Sequence, residues 1–183
     1  PEVLKRFVNF QNNPDEEPAA IQFGTGDKYF GVAILMATMP GLPMLGHGQV
    51  EGYREKYGME YRRAYWNERP NADLIQQHER ILFPLLRRRW LFSEAEHFAF
   101  FDLVTASGAV NENVYAYTNR CGSERGVVFF NNAFSRAEGH IHTSTPINRG
   151  KDGQTQIVRH CLTGALALGS ADGALVRYRE HLS

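Results

Sequence analysis

The first half of the chain alternates short apolar runs with a longer helical pattern. Val3 to Phe10 is an apolar run that is typical of a strand buried on both faces. After a polar loop, the nearly all-apolar segment from Asp27 to Met39 predicts a buried helix, which Pro40 and Gly41 end. Leu42 to Leu45 is a second short apolar run. The order strand, helix, strand indicates parallel strands joined by a helical crossover.

A second helix is predicted from Asn71 to Arg89, where apolar residues recur at helical spacing and form one stripe. His78 lies on that stripe, so we expect it to be a hydrogen-bonded histidine of the core. Pro84 should kink the helix, because proline cannot donate the backbone hydrogen bond of a helix interior. The three arginines at 87–89 stand where the helix dipole favours cations, and we expect them to form a solvated helix end.

The second half of the chain changes to short segments rich in aromatic and β-branched residues. Turn residues separate three of them, which are His97 to Val104, Val114 to Thr118 and Gly126 to Phe134. This pattern predicts an antiparallel sheet, half of a sandwich. Ile157 to Leu168 is expected to form a short helix, which Gly169 ends.

Composition and charge narrow the classes of function. The 183 residues include 20 basic and 20 acidic ones, so the formal charge is zero, and 43% are hydrophobic, as in soluble globular proteins. This balance lacks the positive charge of a general nucleic-acid binder or of a protein that binds anionic membranes. The sequence has no apolar run of the roughly 18 residues that a membrane helix needs. We therefore expect no nucleic-acid partner, no membrane association and a cytoplasmic location.

Polar residues gather where the first predicted strand ends. Asn13, Asp15, Glu16 and Glu17 fall within five positions. Parallel α/β folds place their sites at the carboxyl ends of strands. Closely spaced carboxylates there can supply an acid, a base or a charge that stabilises an oxocarbenium-like transition state. The alternative is a helix N-terminus at which acidic residues are favourable.

The glycine-rich loop after the second strand is another candidate site. It contains His47 and Glu51, which would face the same crevice as Asp15 if the two strands are neighbours. Glycines let a backbone approach a ligand closely, although a glycine-rich turn needs no ligand. His140 and His142 alternate as they would on one face of a strand, and without a third ligand nearby they indicate a surface pair. We therefore predict no metal site.

Several motifs, in order along the chain, resemble the α-amylase family of glycoside hydrolases. Arg6 to Glu16, with the sequence RFVNFQNNPDE, resembles the family's last signature region, in which a strand ends in Asn-His-Asp-Glu. Met39 to Leu45 resembles the final barrel strand, and Gly48-Gln49 with Glu51 resembles the Gly-Gln-Glu segment that follows it. Asn71 to Arg89 resembles the closing barrel helix, and the later strands resemble the C-terminal β-sandwich.

The resemblance implies a chain of α+β class in two parts. Residues 1–95 would be the last two βα units of a (β/α)₈ barrel, and residues 96–183 an antiparallel β-sandwich domain. The implied activity is that of a retaining glycosidase on α-1,4-glucans such as starch, glycogen or maltodextrin. No stretch resembles the regions that carry the family's nucleophile and general acid. We therefore expect a fragment that is inactive alone, open to self-association and without a cofactor, while the parent enzyme could bind the calcium common in the family.

The resemblance also implies roles for single residues. Asp15 matches the third carboxylate of the family, which binds the sugar in the cleavage subsite and favours the charge-developing state. Asn13 matches the neighbouring asparagine, and His47 and Glu51 would line the same subsite. Pro14 stands in place of the family's histidine and removes its contact with sugar hydroxyls, because proline has no donor.

A second departure from the family is Val50, which stands where many members carry glutamate, with Glu51 displaced by one. Three alternatives to a glucan hydrolase stay open. The chain could come from a non-catalytic relative that binds glucan or a protein partner, from an α-glucan transglycosylase, or from an unrelated α+β interaction module.

Overall fold

The protein is described here from a computed structural model, which covers residues 2–56, 62–150, 153–169 and 176–181. The chain divides into two compact units. The N-unit comprises Arg6–Arg89 with residues 180–183, and the C-unit comprises Trp90–Arg179 with residues 1–5. The structure mixes helices with parallel and antiparallel strands. In the ranges covered, no helix combines the length and the apolar character that crossing a membrane requires.

The N-unit is built on two parallel strands joined through a helix, as the sequence predicts. After a 3₁₀ turn at Leu4–Arg6, whose last residue begins the N-unit, its elements in chain order are β1 (Val8–Phe10), α1 (Ala19–Gln22), α2 (Asp27–Thr38), β2 (Leu42–Met44), α3 (Ala72–Gln77), a π-helical turn at His78–Leu82 and α4 (Phe83–Leu86). β1 and β2 pair in register, with Val8 opposite Leu42 and Phe10 opposite Met44. Helix α2 crosses over between them and contacts both strands.

The prediction that the first strand is buried on both faces is wrong. Val8 is 46% exposed, Phe10 is 42% exposed, and Leu42 in β2 is 62% exposed. A sheet of two strands has an open edge on either side, so the crossover helix cannot cover all of its apolar side chains. The apolar core of the N-unit lies instead among the helices, where Ala19, Tyr29, Phe30 and Leu74 pack together.

The predicted helix from Asn71 to Arg89 is interrupted. Asn71 caps α3 by accepting a hydrogen bond from the Leu74 N–H at 3.1 Å. A π-helical turn follows, and Pro84, whose ring nitrogen cannot donate to the preceding turn, lies in the first turn of α4. The kink at Pro84 stays a prediction. His78 begins that turn and is fully buried. The prediction of a hydrogen-bonded core histidine is confirmed.

The prediction of a solvated arginine cluster fails at its last member. Arg87 and Arg88 are exposed, but Arg89 is partly buried. Its guanidinium donates to the carbonyls of Ala37, at 2.6 Å, Met39, at 2.9 Å, and Gly41, at 2.5 Å. These carbonyls lie at the end of α2 and in the turn before β2, so the arginine bonds the segment that follows α4 to that turn.

The C-unit contains the predicted antiparallel sheet. Three strands pair in sequence order, with Phe101 opposite Ala116 and Ala116 opposite Phe129. A separate antiparallel pair lies further along the chain. After α5 (Arg89–Phe92), whose first residue is the last of the N-unit, the elements are β3 (Ala99–Val104), β4 (Val110–Cys121), β5 (Glu124–Asn131), β6 (Ile147–Asn148), β7 (Ile157–Val158) and α6 (Leu162–Ala165).

The helix predicted within Ile157 to Leu168 is mostly absent. This segment begins as β7 and becomes helical only in the single turn of α6. The chain between them is kept extended, because Ser144 donates its backbone N–H to the His160 carbonyl at 2.8 Å and Thr143 bridges Cys161. The sandwich and the barrel fragment stay predictions.

Alternation of side chains gives the sheet of the C-unit two different faces. On one face, Phe101 and Ala116 are fully buried and pack with Ile147 and Ala165. On the other face, aromatic rings follow one another across the strands. The rings of Phe100 and Tyr117 are stacked 6.3 Å apart, and those of Tyr115 and Phe130 are stacked 5.8 Å apart.

Candidate functional site

The loops that follow β1 and β2 are joined by a pair of buried glutamines. Gln11 is 5% exposed and Gln49 is 3% exposed. The Gln49 Nε2 donates to the Gln11 Oε1 at 2.6 Å, and the Gln11 Nε2 donates to the Tyr29 carbonyl at 3.0 Å. The Gln49 Oε1 accepts the backbone N–H of Gly46 at 2.8 Å. Because buried polar groups need partners, these bonds fix the two loops side by side.

This network continues into the helices through a tyrosine and a histidine. The Tyr29 hydroxyl lies 3.2 Å from the Gln49 carbonyl oxygen and 3.0 Å from His78 Nε2. The His78 Nδ1 lies 2.9 Å from the Leu74 carbonyl oxygen. A carbonyl only accepts, so in neutral His78 the proton is on Nδ1 and bonds to Leu74. The His78 Nε2 and the Gln49 carbonyl oxygen are then both acceptors beside the single O–H of Tyr29.

Burial sets the protonation of both groups. It raises the pKa of Tyr29 to about 12. It also lowers the pKa of His78, against the opposing effects of the Leu74 carbonyl and of the Glu51 carboxylate. Both side chains are therefore neutral near pH 7 and connect the loops to the helices by hydrogen bonds rather than by charge.

The glycine-rich loop allows a close approach, but of another loop rather than of a ligand. The Asn12 side chain lies against Gly46, where an added Cβ would be 2.6 Å from the Asn12 Nδ2. Asn12 is 6% exposed and its Oδ1 accepts the Ala19 N–H at 3.3 Å, so it cannot move aside easily. Any side chain at position 46 would push the two loops apart.

Asp15 lies in an exposed turn that Asn13 organises. The Asn13 Oδ1 accepts the backbone N–H of Asp15 at 2.9 Å and that of Glu16 at 3.0 Å. The alternative of a helix N-terminus at these acidic residues is wrong, because α1 begins at Ala19 and has no acidic residue in its first turn. Asn13 therefore positions the backbone of Asp15, and its role as a sugar ligand stays a prediction.

The loop after β2 brings the other candidate residues to the same end of the strands. His47 is exposed and Glu51 is half-buried, with the Glu51 carbonyl accepting the Asn71 N–H at 2.8 Å. The structure adds Lys56, whose Nζ donates to the Asp15 carbonyl oxygen at 3.0 Å. Sequence reasoning missed this lysine, because it lies 41 positions from its partner and only the folded loops bring the two together.

Sequence reasoning also missed the buried network itself. A signal for it was present, since Gln11 and Asn12 directly follow an apolar strand, and Tyr29 is one of the few polar-tipped residues in an apolar helix. Such residues are buried only when their polar atoms are satisfied. The position of their partners depends on the loop that follows β2, which local pattern does not describe.

Comparison with known proteins yields two similar solved structures. No protein-family model matches the sequence, and no curated protein matches it either. The chain is similar to a noncanonic maltogenic alpha-amylase, AmyB from Thermotoga neapolitana, with a TM-score of 0.45 and 16% identity over 86% of this chain and 37% of that one. It is similar to Eubacterium rectale Amy13B, with a TM-score of 0.44 and 16% identity over 75% of this chain and 31% of that one. The chain thus spans about a third of the length of each, and a likeness at these TM-scores fixes neither fold family nor function.

Proposed function

We propose that this chain forms part of a glycoside hydrolase of the α-amylase family and contributes Asp15 to its catalytic centre. The observation that carries the proposal is the pairing of the two motif-bearing loops. They follow two parallel strands that are in register, and Gln11 and Gln49 join them by a buried hydrogen bond of 2.6 Å. Loops at the carboxyl ends of neighbouring parallel strands are where (β/α)₈ enzymes act.

The open sheet of the N-unit supports a larger barrel around it. Parallel sheets are normally covered on both faces and have more than two strands. Here Phe7 is 55% exposed and Leu42 is 62% exposed. In our proposal, further βα units of the parent pair with β1 and β2 and cover these side chains, residues 1–95 are the last two units of the barrel, and residues 96–183 begin the β-sandwich.

The chemistry proposed for Asp15 is charge stabilisation. A retaining glycosidase passes through an oxocarbenium-like state between a nucleophilic carboxylate and a carboxylic acid about 5–5.5 Å apart. We assign both of those groups to other strands of the parent. Asp15 would be the third carboxylate, turned toward the developing positive charge on the sugar, with His47 and Glu51 beside the same subsite. The substrates would be α-1,4-glucans, and we assign no cofactor to this part of the enzyme.

The experiment that tests this proposal replaces Asp15 in the full-length gene product. We expect Asp15→Asn to lower kcat on maltoheptaose by about 10²–10³-fold, as the loss of one transition-state stabiliser does. The matched control is Glu17→Gln, a nearby exposed carboxylate, which should leave kcat within about twofold of the wild type. Proton NMR of the first product should show the α-anomer. A kcat near the wild-type value for Asp15→Asn would overturn the role of this residue.

A non-catalytic glucan-binding relative is the second candidate, and Pro14 is the residue that favours it. Proline donates no hydrogen bond, so the contact that a histidine would make with sugar hydroxyls is lost at this position. The two candidate functions predict different activities for the wild-type protein. Binding of maltoheptaose without any cleavage by the full-length product would support the second and exclude the first.

A further inference from the structure

Two glutamates close the loop that runs from β2 to α3. The Glu68 carboxylate accepts the backbone N–H groups of Arg54 and Glu55, each at 2.8 Å. In turn, the Glu55 carboxylate accepts the backbone N–H of Tyr65 at 2.7 Å and that of Trp66 at 3.0 Å. We call this reciprocal arrangement the double clamp. Hydrogen bonds to a charged acceptor are among the strongest available to a loop.

The double clamp fixes the backbone at two large aromatic residues that are neighbours in the sequence and mostly exposed. Tyr65 is 70% exposed and Trp66 is 59% exposed. Exposed apolar surface that extends beyond single scattered residues often marks a binding site. A fixed backbone also reduces the conformational entropy that a ligand must remove when it binds.

The same loop reaches the candidate catalytic site. Lys56 directly follows the first half of the double clamp and donates to the Asp15 carbonyl oxygen at 3.0 Å. The rings therefore belong to a loop that is bonded at one end to the turn of Asp15 and at its base to itself. Both contacts lie within the N-unit.

We propose that Tyr65 and Trp66 form a sugar-stacking platform, a subsite that binds a glucose unit of an α-glucan chain extending beyond the unit at Asp15. One face of a pyranose ring presents C–H groups, which pack against an aromatic ring, while its hydroxyls stay in water. Tyrosine and tryptophan suit a contact that is apolar on one side and solvated on the other, because each has an apolar ring and a polar tip. The class of ligand rests on the proposed function, and the platform itself rests on the double clamp and the exposed rings.

The chain contains two tryptophans, Trp66 and Trp90, which allows a direct optical test. In the full chain carrying Trp90→Phe, all tryptophan emission comes from Trp66. We expect titration with maltoheptaose to shift that emission saturably and to reduce its quenching by acrylamide. In the chain carrying Trp66→Phe, the remaining signal comes from Trp90 in the C-unit and should not respond.

Retardation in gels containing glycogen then measures binding without an optical reporter. Trp66→Ala should weaken binding by at least about fivefold, because it removes the whole aromatic ring on which the sugar would pack. Trp66→Phe keeps a ring and should restore most of the binding. The matched control is Tyr178→Ala, which removes an aromatic residue that is 88% exposed in the C-unit and should change nothing. Far-UV circular dichroism and a melting midpoint confirm that each variant folds.

The outcomes separate the platform from the proposed function. Loss of binding in Trp66→Ala with binding retained in Asp15→Ala supports the platform. The platform is overturned if Trp66→Ala binds glucan as the wild type does, whether or not Asp15→Ala loses binding. In both cases glucan remains the ligand of the chain. If the wild-type chain binds neither maltoheptaose nor glycogen, the platform is overturned and so is its ligand class.

Discussion

The two units bury different kinds of side chain. In the N-unit, Gln11, Gln49 and His78 are each at most 5% exposed and bond to groups on other loops and helices. In the C-unit, the cluster around Phe101 and Ala116 is apolar, and the backbone ladder of three antiparallel strands sets its geometry. A backbone ladder defines strand positions but leaves loops free. The N-unit uses buried side-chain amides to fix the loops that carry its candidate site.

The units also differ in how well their sheets are covered. Strand β3 alternates between buried and half-buried residues, and its inner residues are at most 8% exposed. Strand β1 has the burial pattern of a surface segment, although its sequence is apolar. A single unit can therefore cover an antiparallel sheet, while a parallel pair needs partners on its edges and faces. The contrast can be tested unit by unit with hydrogen exchange followed by mass spectrometry.

The largest effect is expected from the apolar core of the C-unit. Phe101→Ala removes a fully buried ring and should lower the free energy of unfolding of this unit by about 3–5 kcal/mol. Exchange of the amides in β4 should rise sharply, while that of α2 should rise little. Phe129→Ala, on the same face but 60% exposed, is the matched control and should cost less than about 1 kcal/mol. Equal deprotection of both units would mean that they unfold as one.

A smaller loss of stability is expected from a substitution in the buried polar network of the N-unit. Gln49→Leu leaves the Gly46 N–H and the Gln11 Oε1 without their partner, and each such buried group costs about 1–3 kcal/mol. We expect a loss of about 2 kcal/mol, the low end for two such groups, because the Gly46 amide is only partly buried. Exchange should become faster in residues 11–18 and 46–52, with no change in β4. Gln76→Leu, at an exposed position of α3, is the control. If Gln49→Leu behaves like that control, the glutamine pair does not join the loops.

The smallest expected effect is the change in the stability of the N-unit with pH. Burial holds the pKa of His78 below its ordinary value of 6.5, so the folded N-unit binds fewer protons than the unfolded chain at acidic pH. Its stability is then full above pH 6.5 and falls as the pH drops toward the lower pKa, by at most about 1.4 kcal/mol per pKa unit. His78→Gln should flatten this dependence in α2 and α3 when exchange is compared at pH 7.5 and pH 5.

The C-unit provides the control for that pH dependence. Burial also lowers the pKa of His97, but this side chain is partly exposed, so the C-unit should lose less stability between pH 7.5 and pH 5. Two results would contradict the role of His78. One is a loss of stability in the C-unit as large as that in the N-unit. The other is a pH dependence of N-unit stability that is unchanged in His78→Gln, which would mean that other groups cause it.

Hydrophobic pattern predicted the parts of this fold that depend on neighbours in the sequence. The parallel strands, the crossover helix, the antiparallel sheet and the buried His78 follow from periodicity, because a strand or helix with one apolar face must bury it. Asp15 and the glutamine after the second strand were singled out by resemblance to known motifs, and the catalytic role of Asp15 stays a prediction. The helix predicted over Ile157 to Leu168 is confined to the single turn of α6, because bonding of residues 160 and 161 to the distant segment at 143–144 outweighed local preference before it.

Packing between segments that are distant in the sequence determined the side-chain hydrogen bonds of the N-unit. Arg89 has the same local sequence context as Arg87 and Arg88, and only the position of α2 gives it three carbonyls to bond. Lys56 reaches Asp15, and Glu55 reaches Tyr65 and Trp66, across loops whose paths no periodic pattern describes. Hydrophobic periodicity shows which residues avoid water, so it predicts the type of each secondary-structure element and the residues of the core. Hydrogen bonds between polar side chains depend on distance and direction in space, so the site took shape only when the chain had folded.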